Sequence, residues 1–289
     1  MLEIKNLSKT YSSGFELNNI SLEINKGDFL VMFGPDDAGK TAILYQILGL
    51  HQFSRGFILY KEKDIRQLTK EERLKIRFVP DSVCMEEITA REYFAMLSKE
   101  YEEYDEEDVL DLCELFEIEL DTRLTDMTYN ENKLTMIVGA LVSVPELLIL
   151  DEPMNFLTKE SSVLLLRILQ FLNRRGITIL MTCTQVSEVQ DYATQYIYLK
   201  DGTVSYHGLV KDIYGTQKAV SLSGKDAVSG QRVFGAPIAK SNGRLTYLYD
   251  KKRQRRRLTE LIGILPNVDV EVENLTLEEI LDKDYTRWM

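Results

Sequence analysis

Hydrophobic and polar positions alternate from the start of the chain. Leu2, Ile4 and Leu7, then Phe15, Leu17, Ile20, Leu22 and Ile24, recur at spacings near two across residues 2–24, which predicts an antiparallel sheet with one buried face. The pattern then changes: Phe29–Phe33 is an unbroken apolar run and reads as a buried strand. Residues 42–50 place Ile43, Leu44, Ile47 and Leu48 on one side of an amphipathic helix. Further strands are predicted over 57–60, 76–79, 147–150, 177–181 and 196–199, with helices over 69–75, 132–142, 160–174 and 186–192. Residues 86–120 read as helices with Tyr and Leu on one face. Their other face carries Glu102, Glu103, Asp105, Glu106, Glu107 and Asp108, as a solvated helix pair would. Strand and helix alternating after an antiparallel start predict a mixed α/β core.

Between the strand at 29–33 and its helix lies Gly34-Pro35-Asp36-Asp37-Ala38-Gly39-Lys40-Thr41, which fits the phosphate-loop spacing. A loop joining a strand to a helix offers a concave set of backbone N–H groups and a helix N-terminus, the requirement for holding a polyphosphate. Lys40 then reaches the outer phosphates and the Thr41 hydroxyl ligates Mg²⁺. Asp36 and Asp37 are unusual in such a cradle. A carboxylate near a triphosphate repels it, so Asp37 is expected to weaken anion binding, while aspartate's tolerance of left-handed backbone preserves the loop's shape. A second element of the same kind is Leu147–Leu150 followed by Asp151-Glu152-Pro153. A buried parallel strand delivers these carboxylates to its C-terminal edge, where ligands bind in open α/β sheets. Asp151 suits a water-mediated Mg²⁺ contact, and Glu152 suits polarising an attacking water.

A chain of 289 residues can bury a large core and form one large domain or two smaller ones. The net charge of −11 argues against nucleic acid as a partner. The three cysteines, Cys84, Cys113 and Cys183, lack metal-ligand spacing and read as reduced buried thiols. No signal peptide and no 18-residue apolar run is evident, so neither secretion nor membrane spanning is expected.

Taken together, these features resemble the nucleotide-binding subunit of an ATP-binding-cassette (ABC) transporter across roughly residues 1–215. The resemblance rests on the phosphate loop, Pro145 through Pro153, Met154-Asn155 with Glu160-Ser161, and the Leu199-Lys200-Asp201-Gly202 hairpin. It implies an α/β P-loop NTPase core of ABC-ATPase type with an antiparallel β subdomain and an α-helical subdomain at about 82–142. Residues 216–289 follow as a C-terminal α+β accessory or dimerisation domain. It also implies ATP and Mg²⁺ as cofactors, with Gly34, Asp36, Asp37, Ala38, Gly39, Lys40, Thr41 and Ala42 around the phosphates. Tyr11 matches the aromatic that stacks on adenine, the alternative being a tyrosine in a surface turn. Thr41 and Asp151 match Mg²⁺ positions, and Glu152 matches the general base.

The family's active dimer joins one subunit's phosphate loop to the other's signature motif, and this chain departs from the pattern at several positions. Asp81 stands for the glutamine after the third core strand, though it can itself ligate Mg²⁺. The signature falls on Met127-Thr128-Tyr129-Asn130-Glu131, of which only the Thr128 hydroxyl matches; Tyr129 and Asn130 should obstruct close backbone approach to a γ-phosphate. Thr158 replaces an aspartate. Thr184 replaces the switch histidine, although it can still hydrogen-bond, and His51 and His207 sit elsewhere in sequence order. Hydrolysis is therefore expected to be weak or dependent on a partner.

Residues 226–237, 244–250 and 268–272 suggest strands, with helices over 258–265 and 275–281. Residues 251–257 form the most basic segment, suited to lipid headgroups, a solvated hairpin flank or an acidic subunit surface. The ending Asn274–Leu281 is similar to the tail of ATPases serving ABC-2-type exporters. The implied partners are an integral-membrane ABC-2-type permease subunit and a second ATPase subunit, as heterodimer or homodimer. The implied location is the inner face of the cell membrane, held there through the permease. A non-catalytic nucleotide sensor or scaffold is the alternative. A soluble ABC protein acting on ribosomes or DNA is disfavoured by the charge and by the lack of a second cassette or a long coiled coil.

Overall fold

β1 (Leu2–Thr10) pairs antiparallel with β2 (Glu16–Ile24), placing Leu2 opposite Ile24 and Ile4 opposite Leu22. The alternation read from the sequence is thus the register of a real sheet, with its apolar side in the core. The computed structural model describes residues 1–101, 104–187, 189, 191–209, 217–224, 227–234, 237, 239–241, 244–250 and 268–274. They divide into two compact units, Met1–His207 and Gly208–Met289.

In the first unit the chain continues through β3 (Phe29–Phe33), α1 (Lys40–Ile47), β4 (Arg55–Tyr60), β5 (Lys63–Asp64), α2 (Lys70–Arg73) and β6 (Ile76–Val79). Then come α3 (Ala90–Glu100), α4 (Glu106–Leu115), α5 (Tyr129–Leu141), β7 (Leu147–Leu150), α6 (Lys159–Arg174), β8 (Thr178–Cys183), β9 (Gln195–Lys200) and β10 (Thr203–Leu209). A four-stranded sheet has the order β2-β1-β4-β5, and a six-stranded one the order β10-β9-β3-β8-β7-β6. Within the larger sheet β3, β6, β7, β8 and β9 run parallel. Every residue of β3, β7 and β8 is buried, as a strand covered on both faces requires.

Helix starts follow local chemistry. Thr69, Thr89 and Thr128 each accept from the N–H three residues on, and the glutamate there reaches back: three capping boxes opening α2, α3 and α5. α1 stops at Ile47, short of the predicted Leu50, because Gly49 turns left-handed at φ 71°.

Two predicted elements are corrected. The described residues within 186–192 form no helix; Val189 N–H bonds the Val186 carbonyl and Tyr192 N–H that of Val189, as in turns. Residues 227–234, expected within a strand, form a 3₁₀ turn (Ala227–Gly230) and the short helix α7 (Gln231–Phe234). Tyr247 explains the second case: its hydroxyl bonds the Ala227 carbonyl, fixing the turn over the apolar face of the second unit's sheet. That sheet has the order β12-β13-β11-β14, with β11 (Gln217–Ser223), β12 (Ala239–Ser241), β13 (Arg244–Asp250) and β14 (Asp269–Asn274) antiparallel. The basic segment 251–257 and the predicted helices 258–265 and 275–281 lie outside the described residues. No helix among the described residues is long and apolar enough to cross a membrane.

Candidate functional site

The C-terminal ends of β3, β7 and β8 sit side by side, and the segments leaving them meet in one cleft. The phosphate loop leaves β3 under tight steric control. A Cβ on Gly34 would fall 2.1 Å from the Leu199 carbonyl oxygen. One on Gly39, at φ 101°, would fall 2.8 Å from both Leu17 Cδ2 and Phe15 Cζ. The Gly202 N–H, in the turn between β9 and β10, donates to the Ala38 carbonyl and braces the loop from outside. Asp37 adopts φ 61°, the left-handed conformation its side chain tolerates.

Lys40 opens α1 and folds back, its ammonium donating to the carbonyls of Gly34 (2.8 Å) and Pro35 (3.1 Å) and lying 3.1 Å from Glu152 Oε1. The Thr41 hydroxyl donates to Asp151 Oδ2 at 2.7 Å, and Thr182 donates to Asp151 Oδ1 at 2.6 Å. Thr182 also accepts the Glu152 N–H at 2.8 Å, which holds Glu152 in a left-handed conformation at φ 44°. Glu152 accepts from the Thr184 N–H and hydroxyl, each at 3.0 Å, while that hydroxyl lies 3.5 Å from Asp36 Oδ1. Asp81, just past β6, accepts from Asn155 Nδ2 at 2.8 Å.

At the other end of the cleft the Tyr11–Phe15 turn is closed by Tyr11 N–H to the Phe15 carbonyl (2.8 Å), setting the two rings 5.9 Å apart. Tyr11 Oη accepts from Gln46 Nε2 at 3.0 Å, and Gln46 is buried with its Oε1 unpartnered among the described residues. His51 packs edgewise on Tyr11 and Tyr45, at the aromatic end of the cleft. The cleft measures about 680 Å³. It is lined by Tyr11, Ser13, Phe15, residues 36–42, Asp81, Glu152, Asn155 and Thr184. Among the described residues no cluster of three or more His, Cys, Asp or Glu could hold a metal unaided. Thr41 beside Asp151, with Asp81 on the same cleft, fits an Mg²⁺ that shares its ligands with a nucleotide's phosphates.

A family model described as ABC transporter matches residues 17–155, which include Lys40, Thr41, Asp151 and Glu152. Residues 17–155 carry an ABC transporter ATP-binding domain. The chain is 27% identical over 234 residues to the phosphonates import ATP-binding protein PhnC of Bdellovibrio bacteriovorus, covering 74% of this chain and 90% of that protein. It is 25% identical over 220 residues to the spermidine/putrescine import ATP-binding protein PotA of Haemophilus influenzae, covering 74% of this chain but only 59% of PotA. It is also 27% identical to the macrolide export ATP-binding/permease protein MacB of Campylobacter jejuni, over 71% of this chain and 33% of that one. Among solved structures, an ATP-binding subunit of an ABC transporter superposes at TM-score 0.68 with 23% identity, covering 74% of this chain and 91% of that one. The dimeric, post-hydrolysis ATP-binding cassette MJ0796 bound to ADP and Pi superposes at 0.64 with 23% identity, covering 73% and 99%. Both carry the ABC ATPase fold.

In the ABC ATP-binding domain the signature segment is occupied with internal contacts. Thr128, expected to face nucleotide, spends its hydroxyl on the capping box of α5, accepting the Glu131 N–H and donating to Glu131 Oε2 at 2.7 Å. The structure does not bring Thr128 into the cleft that holds the other candidates. The Tyr129 ring stacks on Phe156, centroids 5.3 Å apart at 28°, and Asn130 Oδ1 accepts the Thr158 N–H at 3.0 Å. Thr158 in turn caps α6.

Several residues in or behind the cleft carry no assigned role in the sequence reading. Phe15 read only as a strand residue and Gln46 only as a helix position; Asn155 was a family landmark without a role. Thr182, inside an apolar run, carried one visible signal: a hydroxyl on a strand otherwise buried throughout needs a polar partner. Lys133 is the same case with a charge. It is wholly buried in α5, and its ammonium donates to the carbonyls of Pro80 and, at 3.0 Å, Asp81. Burial pushes its pKa down to about 8, against the pull of Asp81, Asp151 and Glu152.

Proposed function

We propose that this chain is the ATP-binding subunit of an ABC transporter, binding Mg-ATP in the 680 Å³ cleft and driving a separate membrane subunit. The observation that carries this reading is the convergence of Lys40, Thr41, Asp151 and Glu152 at one end of a cleft whose other end is Tyr11 and Phe15. Tyr11 offers a ring for adenine, and the loop N–H groups and Lys40 hold the phosphates. Thr41 and Asp151 would hold Mg²⁺, with Asp81 on the same cleft, and the ion would neutralise charge on the outer phosphates when bound. Glu152, fixed by Thr184, accepts the proton of an attacking water.

Hydrolysis by the chain alone is slow in this reading. Thr184 positions Glu152 but carries no charge for the transition state, and the α5 N-terminus is committed to Phe156 and Thr158. Lacking such a group commonly costs about 10²–10³ in rate. A sister ATPase subunit with an unobstructed signature would complete the site over this chain's phosphate loop. The relatives' names cover both import and export; the export reading rests on the resemblance of Asn274–Leu281 to ATPases of ABC-2-type exporters. The net charge of −11 favours such a protein partner over nucleic acid.

Steady-state turnover by the purified chain and by Glu152→Gln tests this. Slow turnover that disappears with Glu152→Gln supports a weak ATPase. No turnover with retained Mg-ATP affinity would instead favour a nucleotide-sensing scaffold, for which the blocked α5 N-terminus is the supporting observation. Rapid standalone turnover would contradict the impairment.

A further inference from the structure

Among the described residues, Lys133 is a buried cation beside the cleft residue Asp81 with no part in the proposed nucleotide contacts. Asp36, Asp37, Asp81 and Glu152 line the cleft and Asp151 sits against Thr41, while among the described lining residues Lys40 is the only cation. Lys133 lies behind them at 0% exposure, between Asn132 and Leu134, which are also buried. An ammonium in such a place loses its hydration, and an apolar side chain would fill the same helix position without that loss. Its hydrogen bonds go to two consecutive backbone carbonyls, Pro80 and Asp81, while Asp81, Asp151 and Glu152 act on it through space.

Those contacts form a connected path. Lys133 ties α5 to the Pro80–Asp81 segment. The Asp81 carboxylate accepts from Asn155, whose own N–H donates to the Glu152 carbonyl at 3.0 Å. Helix α5 is thereby linked to the segment bearing Glu152 through Asp81 and Asn155.

We propose that Lys133 is a positioning and charge-balancing residue of the nucleotide site, pinning the Pro80–Asp81 segment to α5 and offsetting the negative charge of Asp81, Asp151 and Glu152. The inference deepens the proposed function and rests on it. Its consequence has a sign. With Lys133 in place the carboxylates repel Mg-free ATP less and attract Mg²⁺ less; without it, nucleotide binding becomes more dependent on Mg²⁺.

The test is calorimetric titration of the full chain with ATP in Mg²⁺ and with ATP in EDTA, for the unaltered chain, Lys133→Gln, Lys133→Met and Lys133→Arg. Gln keeps a donor for the two carbonyls but not the charge, and Arg keeps the charge. The ratio of the Mg-free to the Mg-bound dissociation constant is expected to rise roughly three- to tenfold in Gln and Met and to stay near the native value in Arg. A general packing defect moves both constants together and leaves the ratio alone. An unchanged ratio in Lys133→Gln, with ATP still bound, overturns the charge-balancing role and leaves the proposed function standing. No ATP binding by the unaltered chain removes both.

Discussion

Lys40 and Glu152 form an ion pair at 3.1 Å, their side chains only 6% and 13% exposed. The residue suited to holding an outer phosphate is therefore already held by the residue suited to activating water. A nucleotide must displace that contact, and the Glu152 charge opposes the incoming phosphates as well. Glu152→Gln weakens both oppositions. It is expected to tighten Mg-ATP binding about tenfold while turnover falls, which parallel calorimetry and phosphate-release assays would show.

Asp37 lies in the phosphate loop at φ 61° and lines the cleft. Asparagine keeps the tolerance of left-handed backbone and removes the charge. Asp37→Asn should tighten Mg-ATP roughly two- to fivefold, the modest size reflecting solvent screening at an exposed position. Asp37→Ala removes the same charge but strains the loop by about 1–2 kcal/mol, so a lower melting temperature should accompany any gain in affinity.

Tyr11 is set by Gln46 through its hydroxyl and by Phe15 through its ring. Tyr11→Ala should weaken ATP by about 1–3 kcal/mol, the usual worth of base–aromatic stacking. Tyr11→Phe keeps the ring and loses only the Gln46 bond, worth about 1 kcal/mol or less. Competition against a fluorescent nucleotide separates the two variants.

The arrangement of strands was legible because buried parallel strands are written as apolar runs, and Phe29–Phe33 and Leu147–Leu150 have those bounds in the structure. Lys40, Thr41, Asp151 and Glu152 could be placed because each directly follows such a run or closes a spaced glycine loop. What could not be read was contact between segments distant in sequence. Gln46 and Tyr11 are 35 residues apart, Tyr129 meets Phe156 across a strand, and Lys133 reaches back to Pro80 and Asp81. The helix expected at 186–192 and the strand expected across 227–234 rest on a few apolar residues among polar and small ones, such as Val186 and Val189 beside Ser187 and Asp191, a pattern too weak to separate helix, strand and turn.

Thr128 caps α5 in the single chain, while the nucleotide contact expected of it lies across a dimer, so the two roles separate experimentally. Thr128→Ala removes the capping-box acceptor of α5 and should cost about 1 kcal/mol of stability, measured by denaturant unfolding. Mg-ATP affinity of the isolated chain should stay within about twofold of native, because its hydroxyl lies outside the cleft lining.

Cys113 gives a pH signature. Burial pushes its thiol up to about 11 from an ordinary 9.0. Between those values the unfolded chain releases a proton that the folded chain keeps, so stability falls as pH rises through the window, by at most about 1.4 kcal/mol per pH unit. In Cys113→Ala that component of the slope should vanish, as paired unfolding curves at pH 9 and 10 would show.

The central claim is that the cleft between Tyr11 and Lys40 binds Mg-ATP, and calorimetric titration of the purified chain beside Lys40→Ala tests it most directly. Saturable binding by the native chain, weakened at least about tenfold by Lys40→Ala, is the predicted result. No binding by the folded native chain, or equal binding by Lys40→Ala, would contradict it.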